Sequence, residues 1–113
     1  GLGDVYKRQK NKRIVYHLYR SADRALVEMY LMRICEQVIL SYIHNNRGDL
    51  PVSPEDKTII VRYYKCQCFG MIIDWLNSDM RFDIAAEARR MYELRKGMLE
   101  EIVRRASMQR SKA

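Results

Sequence analysis

The chain has 113 residues, of which 48% are hydrophobic and 31% charged, and it carries a net charge of +7. That length fits one domain with a modest core, small enough for a partner to add stability. The composition is globular rather than disordered. No apolar run approaches the roughly eighteen residues of a membrane span, and no apolar core of a signal peptide opens the chain. The expected location is the cytoplasm.

The basic excess has limited meaning. Lys7 and Arg8 against Asp4 leave Gly1–Gln9 at a net +1, so the remainder carries +6. Most cations alternate with acids, as on a solvated helix face. Only Lys10–Arg13 and Arg104–Lys112 are basic runs without acids. Salt-sensitive adhesion to nucleic-acid phosphates is the most such runs support. The three cysteines form no framework. Cys66 and Cys68 point about 200° apart on a helix, and Cys35 lies on another helix's apolar face. They read as reduced thiols packed as small hydrophobes.

In chain order, Gly1–Gln9 resembles translated sequencing-adapter sequence and is expected to be a non-native or disordered arm, outside the fold. A first helix is expected from about Lys10 to Tyr19, with Ile14, Val15, Leu18 and Tyr19 on one stripe. A second begins after Asp23, a good N-cap residue, and ends near His44. Its apolar pairs run from Leu26–Val27 to Tyr42–Ile43, a wide stripe that predicts a central helix touched on several sides. Asn45–Pro51 is the loop. The third helix has Ser53 as cap, Pro54 in the first turn, and Glu55 and Asp56 at the positive dipole end; it should stop near Asp79. Asp83 caps a fourth helix expected to reach about Arg105, with Gly97 inside it. Ser107–Ala113 should fray. The fold class is all-α, an antiparallel bundle of about four helices over residues 10–106.

Catalytic chemistry finds no constellation. There are two histidines, His17 and His44, with no His-Glu-x-x-His and no paired-cysteine spacing. No catalytic residue, metal ligand or cofactor is assigned, and the chain is not read as an enzyme. What remains is surface for binding. Met29, Tyr30, Met32, Tyr42, Tyr64 and Met71 are candidates for an adaptable small-molecule pocket, in which tyrosine hydroxyls supply polar handles.

Tyr63–Met80 is the most informative stretch. Gly70 inside a helix costs about 1 kcal/mol against alanine, which close approach of another helix would offset. Tyr63, Tyr64, Gly70, Trp75 and Met80, preceded by Tyr19–Arg24 and Tyr30–Leu31, follow an order that resembles the C-terminal regulatory region of TetR-type (TetR/AcrR) transcriptional regulators, over about Asn11–Arg105. The resemblance implies a TetR C-terminal-domain-like bundle, a homodimer formed through the last two helices, and a small-molecule effector. Cys66, Gly70, Ile73, Ala88, Met91, Arg95 and Met98 are then candidate seam positions. It also implies that DNA is read only by a helix-turn-helix domain missing from this chain, which is expected to be a fragment. Two other readings stand beside it: a free-standing helical interaction module without a transcriptional role, and a basic helical domain that contacts nucleic acid itself.

Overall fold

The computed structural model describes the backbone of residues 2–21 and 23–112, and the side chains of 10–21, 23–45 and 48–108. Five helices follow one another: α1 (Leu2–Arg20), α2 (Arg24–Arg47), α3 (Pro54–Asn77), α4 (Ile84–Leu94) and α5 (Met98–Lys112). The described residues contain no strand.

The spine is an antiparallel hairpin of α2 and α3. Near one end, Leu31 of α2 packs with Trp75 and Leu76 of α3 and with Tyr19 of α1, and Val27, Phe69 and Ile72 close around them. Toward the other end, Ile43 of α2 meets Ile60 and Val61 of α3 under Leu50 from the loop, with Leu99 and Val103 of α5 against them. Leu76 and Cys35 have no exposed surface. Residues four apart on a helix share a face, so the paired apolar pattern of α2 supplies both clusters.

Helix ends follow local chemistry. The Ser53 hydroxyl accepts from the Asp56 amide at 3.1 Å, and the Asp83 carboxylate accepts from the Ala86 amide at 3.0 Å. Both are N-caps that relieve unpaired amides. Asp23 differs. It stands at the N-cap of α2, but its backbone (φ −90°, ψ 27°) is not extended and its side chain makes no capping bond.

Four expectations need correction. First, α1 begins at Leu2 rather than near Lys10. Once the turns through Tyr19 exist, each added residue gains a hydrogen bond at low cost, and no proline intervenes. The side chains of Gly1–Gln9, on which the expectation of a detached arm turns, lie outside the described residues, as do Ala22 and Ala113. Second, the long final helix is two helices. Gly97 adopts φ +89° between α4 and α5, a left-handed conformation that glycine takes without steric cost. Third, α5 continues to Lys112, past the expected fraying point. Fourth, α2 is not covered on several sides. Leu26, Tyr30, Ile34, Val38 and Tyr42, four residues apart, are exposed. α1 and α3 line α2, whereas α4 and α5 reach it only near Tyr42 and Ile43, which leaves most of so wide an apolar stripe open.

Candidate functional site

Exposed apolar side chains mark surface that the chain's own helices do not fill. On α3, Ile59, Tyr63, Cys66 and Gly70 fall three or four residues apart and are all exposed. A Cβ placed on Gly70 would meet no other part of the chain within 4 Å. The close helix approach expected at Gly70 is therefore not made within the monomer. On α4 no residue is buried, and Ala88, Met91, Tyr92 and Leu94 are exposed, as are Met98 and Ile102 on α5.

Arg95 ties these surfaces together. Its guanidinium lies 4.8 Å from the ring centroid of Tyr64, a cation–π contact, and donates to the Gln67 side-chain oxygen at 2.7 Å. Gln67 flanks the Tyr63–Cys66–Gly70 stripe, so the end of α4 is held beside it. Of the seven candidate seam residues, Cys66, Gly70, Ala88, Met91 and Met98 are exposed. Ile73 is half-buried against the chain's own core, and Arg95 is half-buried on α3. Ile59, Tyr63 and Leu94 join this surface without being among the seven, although Ile59 and Tyr63 continue the same helical spacing as Cys66 and Gly70.

The six candidate pocket residues are spread along α2 and α3. Met29 and Tyr30 lie exposed more than three turns before Tyr42 on α2, and Met32 and Met71 are half-buried. Tyr42 and Tyr64 lie near enough to interact electrostatically. Tyr42 stands edge-on to Tyr92 of α4, with ring centroids 6.4 Å apart. Burial, first, and then the neighbouring Tyr92, Glu100 and Tyr64 push the Tyr42 phenol above its ordinary pKa. Two shallow clefts run along α2 and α3 elsewhere, of about 440 Å³ around Leu40, Ile43 and His44 and about 220 Å³ around Glu36, Val61 and Lys65. None of the six candidates lines either. Nothing in the sequence flags these clefts, because Glu36, Lys57 and Lys65 read as ordinary solvated charges.

The cysteines are free. Burial, with Cys68 beside it, pushes the Cys35 thiol up to about 12, so it stays protonated and inert at neutral pH. No cluster of three or more potential metal ligands occurs among the described residues. None of the described helices is long and apolar enough to cross a membrane.

The family of transcriptional regulator C-terminal regions matches residues 8–97. The chain belongs to this family, the TetR-type C-terminal regulatory region. No curated protein and no solved structure matches it significantly.

Proposed function

We propose that this regulatory region dimerises through α3, α4 and α5 and responds to a small-molecule effector. Non-catalytic, it acts on DNA through a helix-turn-helix domain outside these residues. Cys66, Gly70, Ala88, Met91 and Met98 form the seam with a second copy, with Ile73 and Arg95 at its edge. Ile59 and Tyr63 extend it. The observation that carries this reading is Gly70. A glycine in mid-helix is costly, and here it faces open space at the end of the exposed Ile59–Tyr63–Cys66 stripe. A twofold partner crossing at Gly70 would turn that cost into close backbone packing and would cover both apolar helices with one surface.

The effector reading rests on Tyr42, Tyr64, Tyr92 and Arg95, where α4 meets α2 and α3. A ligand wedged among these rings would move α4 and with it the seam. Met29, Tyr30, Met32 and Met71 contribute only if α2 and α3 rearrange around such a ligand. In the dimer, a shift between two subunit arrangements would change the spacing of two DNA-reading heads against half-sites about 34 Å apart. Sedimentation equilibrium across a concentration series tests the core of the proposal. A twofold dimer is expected, and a chain that stays monomeric at high micromolar concentration sinks it.

A further inference from the structure

The turn that ends α3 holds a residue its backbone does not favour. The Met80 amide donates to the Trp75 carbonyl at 2.9 Å, and the Asp79 amide donates to the Leu76 carbonyl at 3.1 Å. These are the two crossed bonds of a Schellman ending, whose left-handed position is ordinarily glycine. Here that position is Asp79, at φ +58°, and Met80 follows at φ +59°. In this region a side chain's Cβ crowds the following carbonyl oxygen. Met80 recovers some of the cost by packing on the Trp75 cluster. Asp79 is half-exposed and brings no apolar surface with which to do the same. Its offset has to come from its carboxylate.

That carboxylate reaches α1. Tyr16 donates its hydroxyl to Asp79 Oδ1 at 2.8 Å, and Arg20 donates from Nη2 to the same oxygen at 2.8 Å. One turn away on α1, the Tyr19 hydroxyl donates to Asn77 Oδ1 at 2.8 Å and in turn accepts from Arg24 Nη2. Among the described residues, the side-chain hydrogen bonds of α1 to the end of α3 therefore converge on Asn77 and Asp79. They are made by long side chains, and Arg20 and Asp79 remain open to water. The apolar anchors of α1 among the described residues are Val15 and Tyr19.

We propose that Asp79 is a releasable joint through which the α3–α4 corner sets the angle of α1. Its aspartate occupies a glycine position because the carboxylate is needed to hold Tyr16 and Arg20. α4 begins a few residues later, capped by Asp83, and the segment between is pinned where the Trp75 indole donates to the Phe82 carbonyl at 3.0 Å, so a movement of α4 reaches Asp79 through that pinned turn. The joint can open without exposing either core cluster, because the carboxylate lies outside both. The partner of this movement rests on the reading of α3 and α4 as the subunit seam; the joint itself does not.

Hydrogen exchange read by mass spectrometry on the full chain tests it, at a concentration where sedimentation gives one species. Asp79→Gly keeps the left-handed turn and removes the carboxylate. Exchange at residues 13–20 should quicken about fivefold, with the amides of Leu31–Ile43 unchanged and the melting temperature held or raised. Tyr16→Phe removes one donor without touching the turn and should give a smaller change of the same sign. Unchanged exchange in α1 for Asp79→Gly overturns the joint, as does acceleration spread equally over α2 and α3. A chain that never dimerises yet shows the localised response keeps the joint and refutes the seam. A dimer without the response does the reverse.

Discussion

Gly70 separates the stability of the chain from the stability of its assembly. A side chain at this position meets nothing within 4 Å in the monomer. Gly70→Ala should therefore stabilise the isolated chain by about the helix-propensity difference, roughly 1 kcal/mol. Gly70→Leu should do nearly as well, because leucine is also a good helix former. At a twofold helix crossing both substitutions act in the opposite direction. Leucine inserted into a close-packed contact costs about 1–3 kcal/mol, and at about 1.4 kcal/mol per decade that weakens the dimer roughly 5- to 150-fold. Urea unfolding should be measured below the dissociation constant, since dimer formation itself raises apparent stability. Sedimentation velocity over a dilution series gives the dissociation constant. The expected result is a more stable monomer and a weaker dimer in the same variant. If Gly70→Leu dimerises as tightly as the parent, the α3 stripe is not the seam. If it destabilises the monomer, Gly70 is packed within the chain and does not face open space.

Three further outcomes follow from the same structure. Leu76 is fully buried between Tyr19, Leu31 and Trp75, so Leu76→Ala should cost about 2–5 kcal/mol, a large share of a total of roughly 5–15 kcal/mol; a loss below about 1 kcal/mol in urea unfolding would deny this cluster its central place. Hydrogen bonds from Tyr16 and then Arg20 hold the Asp79 carboxyl below its ordinary 3.8. Its contribution is thus complete above that ordinary value and is lost as pH falls through the lower folded one, which a carbon-13 carboxyl titration can follow; a midpoint at or above 3.8 would mean that α1 does not hold the carboxylate. This chain should show no sequence-specific DNA binding, and any non-specific retention should vanish with added salt; a specific footprint at physiological salt would favour the reading in which the domain itself contacts nucleic acid.

Where local chemistry decides, the fold could be read from residues alone. Ser53 with Pro54 and Asp83 with Ala86 mark helix starts because a side-chain oxygen must satisfy an amide within three residues, and sequence proximity is enough. The hairpin of α2 and α3 was legible because both helices carry apolar residues at three- and four-residue spacing. Gly97 shows the limit. Glycine is tolerated in a helix at moderate cost or ends one in a left-handed conformation, and the flanking residues of α4 and α5 suit either outcome. Asp79 marks the helix end as expected, but not how it is made. Aspartate is rarely the residue of a left-handed helix ending, and the reason it stands there lies on Tyr16 and Arg20, far earlier in the chain. The candidate pocket residues stand dispersed along α2 and α3 for a different cause. Methionine and tyrosine abundance shows that adaptable side chains exist, whereas their convergence depends on the axial separation of Tyr30 and Tyr42, which composition does not encode.

A further reason to expect a second copy, beside Gly70, is α4 itself. Isolated helices shorter than about 12–15 residues are marginal in water, and α4 has 11 residues, none of them buried. It is attached to the hairpin by Ile84 beside the Trp75 cluster, Tyr92 on Tyr42, Arg95 on Tyr64 and Gln67, and it is capped by Asp83. Exposed polar contacts of this kind contribute from tenths of a kcal/mol to about 1 kcal/mol each. Meanwhile Met91, Tyr92 and Leu94 leave about half of their surfaces in water. Covering them would return about 25 cal/mol for each Å² of apolar area removed from water, which over three large side chains outweighs any single polar contact that α4 now makes. The same cover would reach Ile59, Tyr63 and Gly70 on α3, because Arg95 holds the two surfaces side by side. One occupant can satisfy both helices at once, and a symmetric copy brings the matching pair of helices with it.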